Sequence, residues 1–166
     1  MAFICQTCGK EHQGLPLDIG FGKPPDYFAI PENERGSRCE LTSNHCIIDS
    51  EQFFLRGCIF IPVHEIGANF VWGVWAEVSG DVFRRYLELR DMNGGHEPPH
   101  PAKLSGEHKG YEGLDGHPVL VQFGPTDKRP KFVLQPSDHL MFREQQSGIT
   151  QHRVHQILEQ IFPDGF

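Results

Sequence analysis

The alternation of apolar and polar residues changes character three times along the chain. Residues 1–50 carry Gly9, Gly14, Gly20, Gly22, Pro16, Pro24, Pro25 and Pro31, a density that forbids long regular elements. Ala2 to Cys5 is the first strand that fits, and Pro31 to Arg35 has room for one helical turn. From Ile47 the residues turn β-branched and aromatic. Ile47-Ile48, Phe53 to Val63 and Asn69 to Ser79 read as strands, the last two joined by a short turn containing Gly67.

Ser79 then caps a helix with Val82, Phe83, Tyr86 and Leu87 on one face, and Asn93-Gly94-Gly95 stops it. Pro118 to Phe123 and Lys131 to Gln135 are two further strands. A short helix capped by Ser137 ends at Gly148, and a last helix runs from Gln151 to Phe162 with Val154, Ile157, Leu158, Ile161 and Phe162 as its apolar stripe. Hairpins with helices packed on one face predict an α+β fold: an antiparallel sheet with a Cys-containing, zinc-bound N-terminal segment. The expected organisation is one compact unit, with residues 1–50 as a turn-rich zinc knuckle and 51–166 as the α+β body.

The long hairpin can be set in register from its pattern. Leu55, Gly57, Ile59, Ile61 and Val63 share one face, and Phe70, Trp72, Val74, Ala76 and Val78 share one face of the second strand. Burying both sets together allows only pairs whose residue numbers sum to an odd value. Pairing Ile59 with Val74 and Cys58 with Trp75 leaves the loop Glu65 to Ala68 and sets Arg56 opposite Glu77 for an ion pair. The second face, with Phe54 and Phe60, then needs a cover from the N-terminal segment or a helix. Trp72 and Trp75 fall on opposite faces, so one of them has the placement to line a groove, while core packing is the expected role of at least Trp72.

At 166 residues, 38% hydrophobic and 11% aromatic with thirteen Phe, the chain has the material for a real core. No apolar run approaches the roughly 20 residues that span a bilayer, and the start lacks a secretion signal. A soluble, cytoplasmic protein that does not enter membranes is therefore expected. The net charge of −7 and the lack of a basic stripe argue against nucleic acid as a partner. Protonating all ten His would take −7 to +3, so solubility should be lowest in mild acid. Asp18, Asp26, Glu32, Glu34 and Glu40 make the first segment acidic, which suits a basic protein partner and equally suits plain solubility. The pattern leaves the oligomeric state open.

The five Cys are an odd number in a chain with no secretion signal, which speaks against a disulfide framework. Cys5-Gln6-Thr7-Cys8 followed by Gly9 is instead half of a tetrahedral zinc site, because the Gly lets the backbone curl around two thiolates. The other half comes from Cys39, Cys46, His45 or His12; the competing reading leaves Cys39 and Cys46 as small buried residues. Cys58, inside an apolar strand, reads as a buried inert thiol.

The connection from Asn93 to His117 holds His96, His100, His108 and His117 with Glu97, Glu107 and Glu112. Its length fits a functional or mobile loop, and a mobile solvated loop is the expectation from its Gly and Pro content. Ser137-Asp138-His139 is refused as a triad, because adjacent side chains cannot align as nucleophile, base and orienter. His152 and His155 lie off the apolar stripe of the last helix and are expected on a solvated face.

Phe3-x-Cys5-x2-Cys8-Gly9-x2-His12, Gly14-Leu15-Pro16-x-Asp18-Ile19-Gly20, Cys46-x-Ile48-Asp49, Phe53-Phe54-x-Arg56-Gly57, Phe70-x-Trp72-Gly73-Val74-Trp75 and Gln135-Pro136-Ser137-Asp138-His139 together resemble an uncharacterised bacterial family, a domain of unknown function (DUF2199). The resemblance covers nearly the whole chain and carries no reaction with it. It implies that the first CxxC and the position of Cys46 recur while Cys39 often does not, which favours His12 as a ligand; the chain departs from the family between Pro98 and Gly116. The metal set is thus Cys5, Cys8, Cys46 and one of Cys39 or His12. The expected function is a zinc-stabilised bacterial binding or accessory protein, and the alternative is a metal-dependent hydrolase using an open zinc position or the His-rich loop.

Overall fold

A computed structural model describes all residues except Met1 and Cys5–Cys8; the side chains of Phe3 and His12 are also outside the description. The elements in chain order are β1 (Phe3–Ile4), β2 (Glu11–His12), β3 (Asp18–Gly20), α1 (Pro25–Ala29), α2 (Glu32–Arg38), β4 (Cys39–Leu41), β5 (His45–Ile48), β6 (Gln52–Val63), β7 (Ala68–Val78), α3 (Gly80–Leu89), β8 (His100–Ser105), β9 (Pro118–Gln122), β10 (Lys131–Leu134), α4 (Leu140–Ser147) and α5 (Gln151–Ile161). No helix among the described residues is long and apolar enough to cross a membrane.

The fold is α+β, and its centre is a closed five-stranded barrel rather than the open sheet expected from the hairpins. Strands β6, β7, β8, β9 and β10 pair in that order, each antiparallel to the one before, and β10 returns to pair with β6 in parallel. Two extensions grow from the long hairpin: β3 adds to β7 in parallel, and the β4–β5 hairpin adds to β6. Strands from the first fifty residues thus join the same sheet as the barrel.

In the central hairpin the sum of paired residue numbers is odd, as expected, but the register lies two residues away. Ile59 faces Trp72, Cys58 faces Gly73 and Arg56 faces Trp75. The turn is His64 to Gly67, with Gly67 at φ +58°, and the expected Arg56–Glu77 pair does not form because Glu77 faces Phe54. Parity is set by which face is buried, and a shift of two keeps every side chain on its face, so the pattern could not choose between the two registers.

The barrel interior is filled by Leu55, Ile59, Trp72, Val74, Leu104, Val121 and Phe132, and Met141 of α4 and Val154, Ile157 and Leu158 of α5 join the same core. Gly57 belongs here for a steric reason: a Cβ on it would stand 2.5 Å from Cζ of Phe132. On the outer face Phe54 and Trp75 form a second cluster with Cys46 and Ile48, covered by Phe21, Tyr27 and Ile30 of the N-terminal segment. Both Trp are therefore buried, and neither lines a groove; the Trp75 Nε1–H donates to the Phe21 carbonyl at 2.8 Å.

Residues 93–117 are the largest departure from the sequence reading. They are no solvated loop: His100–Ser105 is the barrel strand β8, with Ala102 and Leu104 turned inward, and Tyr111 and Leu114 are buried beyond it. His155 is likewise 2% exposed, packed against the Phe166 ring, rather than on a solvated face. Helix α4 starts later than expected. His139 rather than Ser137 is its N-cap, the Nδ1 accepting from the Met141 N–H, while the Ser137 hydroxyl accepts from the His139 N–H.

Candidate functional site

Period-2 geometry on β6 turns Leu55, Gly57 and Ile59 into the barrel and leaves Arg56, Cys58 and Phe60 on its outer face. These three line one side of an open cleft of about 890 Å³. Tyr86, Leu89 and Arg90 at the end of α3 form a second wall, and the β9–β10 connection, from Phe123 to Pro130, forms a third. Thr42, Asn44 and His45 from the β4–β5 turn close the remaining side.

Asn44 organises the charged part of the cleft. Its backbone carbonyl accepts from the Arg56 N–H at 2.9 Å, and its side-chain Oδ1 accepts from Arg129 Nε at 3.2 Å. Arg56 Nη1 donates weakly to the Ser43 carbonyl at 3.4 Å, and Arg56 Nε is buried with no acceptor. Burial, followed by the positive charge of Arg129, lowers the Arg56 pKa from its ordinary value; Cys58 and then Asp18 pull the other way. Cys58, on the same face as Arg56, feels the positive charge of both Arg129 and Arg56 and is half-buried rather than enclosed. Desolvation raises its thiol pKa despite them.

The candidate metal ligands fall in three places. Cys5 and Cys8 lie outside the described residues, in the connection between β1 and β2, whose backbones pair Phe3 with His12 and Ile4 with Glu11. Cys39 and Cys46 are brought together on the β4–β5 hairpin. Cys39 faces Ile48 and Leu41 faces Cys46, so the two thiols are diagonal neighbours on one face. Cys46 is fully buried beside Phe54 and Trp75, and burial, with the Cys39 charge next, pushes its thiol up to about 12.

His45 is excluded from the same ion as Cys46, because adjacent residues of a strand point to opposite faces. Its ring packs edge-on against Phe83 and Tyr86, with Nε2 at 3.2 Å from Glu40 Oε1.

The His-rich connection does not converge. His100 Nε2 pairs with Glu97 at 3.0 Å, and Glu97, held mainly by Arg85 and then by His100, drops to about 2. His108 is 6% exposed between Phe21 and Trp72, both ring nitrogens without a partner. His117 Nε2 meets the Ser137 hydroxyl at 2.9 Å on the surface, against the His139 ring. Among the described residues no group of three or more His, Cys, Asp or Glu is placed to hold a metal ion.

Asn44 carried no sequence signal, and Arg129 only that of the Arg129-Pro130 pair, which belongs with the motifs of the resemblance; that they meet Arg56 is visible only once the barrel brings residues 44, 56 and 129 together.

The barrel, its β3 and β4–β5 extensions and the cleft beside them describe a mixed α+β domain. The chain belongs to the family described as an uncharacterized protein conserved in bacteria (DUF2199), whose model matches residues 4–149. No curated protein and no solved structure matches it.

Proposed function

We propose that the protein is a zinc-stabilised binding or accessory protein, with the metal held by Cys5, Cys8, Cys46 and Cys39, and His12 as the alternative to Cys39. The observation that carries this reading is the diagonal pairing of Cys39 and Cys46 on one face of the β4–β5 hairpin, which supplies two adjacent thiols for a tetrahedral site. The CxxC between β1 and β2 supplies the other two, in a segment of two-residue strands that gains most from a cross-link. A closed four-thiolate site does structural work, so binding is left to the open cleft beside the barrel. Thiolate zinc and free cysteines suit a reducing compartment, which favours the cytoplasm.

The test is metal analysis of untagged protein. One zinc per chain is expected, released on Cys8→Ser or Cys46→Ser together with a fall in melting temperature. His12→Ala should retain the metal if Cys39 is the fourth ligand. A zinc-free preparation that is equally stable, or full zinc retention in both Cys variants, refutes the reading.

A further inference from the structure

We infer that the cleft beside the barrel is a binding site for a small organic phosphate monoester, gripped by the guanidinium groups of Arg56 and Arg129. The two residues come from distant parts of the chain and meet at the β4–β5 turn: the Asn44 carbonyl accepts from the Arg56 backbone N–H, the Ser43 carbonyl from Arg56 Nη1, and the Asn44 Oδ1 from Arg129 Nε. No described carboxylate forms an ion pair with either group, although Arg90, on the opposite wall, is matched by Asp91 at 3.8 Å. The two cations thus act on each other without an ion pair in a cleft that Asp18, Asp91 and Asp127 also line, Asp18 drawing on Arg56 only from beyond ion-pair distance.

Holding the part-buried Arg56 near a second, exposed cation opposes folding unless an anion offsets it. The planar guanidinium fork matches the oxygens of phosphate, and two forks call for a dianion, which a phosphate monoester carries at neutral pH and a monocarboxylate does not. Lys128 at the rim adds a third cation for steering. Phe60, Leu89 and Phe123, one from each of three walls, add apolar surface for the organic part of the ligand. The inference does not depend on the zinc reading, since none of these residues is a proposed metal ligand.

Phenyl phosphate serves as the probe, titrated by calorimetry at constant ionic strength against inorganic phosphate, succinate and chloride. Saturable 1:1 binding of phenyl phosphate is expected, tighter than inorganic phosphate or succinate, with no response to chloride. Arg129→Ala, on an exposed connection that leaves the core intact, should weaken it at least tenfold, as should Arg56→Gln. Arg84→Ala, on the solvent face of α3, should leave it unchanged. Bound phenyl phosphate should also slow alkylation of Cys58, read by peptide mass spectrometry. Absence of saturable binding, stronger binding of succinate, an unaffected Arg129→Ala variant or unprotected Cys58 would each overturn the assignment.

Discussion

Replacing Gly57 by Ala tests how the barrel closes. A Cβ at this position would lie 2.5, 2.7 and 2.8 Å from three carbons of the Phe132 ring, against about 3.5–4.0 Å for an ordinary carbon contact, so the ring must retreat by roughly 1 Å. Phe132 has no exposed surface, and close-packed interiors leave little room for a ring to retreat. Overpacking of this kind costs about 1–3 kcal/mol. For a domain of this size that corresponds to a melting temperature lower by about 2–12 °C.

The attribution to the Phe132 contact is checked by a double-mutant cycle. Phe132→Leu alone is destabilising because it opens a cavity, but in the Gly57→Ala background it removes the clash, so the double variant should be more stable than the sum of the two single changes by about 0.5–3 kcal/mol. Urea unfolding at pH 7.5 measures all four proteins. An unchanged Gly57→Ala variant, or strictly additive effects, would refute the claim that this contact sets the barrel's width.

Three shorter predictions accompany it. Burial lowers the pKa of His108 from its ordinary 6.5, with Glu107 and Asp115 opposing weakly, so the unfolded chain takes up the proton first and stability falls as pH drops below about 6.5; His108→Leu should flatten urea stability between pH 7.5 and 5, and an unchanged slope would count against it. Asp49 and Ser50 both hold positive φ, 52° and 56°, in the turn closed by the Glu51 N–H to the Ile48 carbonyl, so Ser50→Gly should stabilise by roughly 0.5–1 kcal/mol, read as a small rise in melting temperature. Glu144 accepts from the buried Tyr111 hydroxyl and from Arg153 Nε at 2.8 Å, so Glu144→Leu, which strands both donors, should cost about 3–5 kcal/mol, and a loss below 1 kcal/mol in urea unfolding would contradict that network.

What could be read from the sequence follows the strength of the local signal. The β6 and β7 strands and helices α3 and α5 are long and periodic, and their existence was legible; the strand faces were too, whereas on the helices Leu87 and Phe162 are exposed and Leu89 and His155 are buried against the expected stripes. Strand β8 was not, although Ala102 and Leu104 alternate with Pro101 and Lys103, because Pro99 and Pro101 and the flanking Gly residues carry the punctuation of a loop. Helix α1 was missed for a similar reason, as Pro25 at its first position is tolerated there but looks like a breaker in sequence. The cleft cations were invisible for a different reason: Arg56, Asn44 and Arg129 meet only through β5–β6 pairing and the return of the chain before β10, and no local pattern encodes that meeting.

A meander of five strands has an unavoidable geometric remainder. Odd numbers cannot alternate direction around a closed ring, so one junction must join strands running the same way, and here it falls between β6 and β10, where the ladder has a single matched position, Lys131 with Cys58, and the Cys58 N–H reaches the Pro130 carbonyl at 2.9 Å. Arg56 stands on one lip of that seam and Arg129 on the other. A ligand held by both would act as a suture across the weakest line of the barrel, so hydrogen exchange at Cys58 and Lys131 should slow on binding more than anywhere else in the molecule.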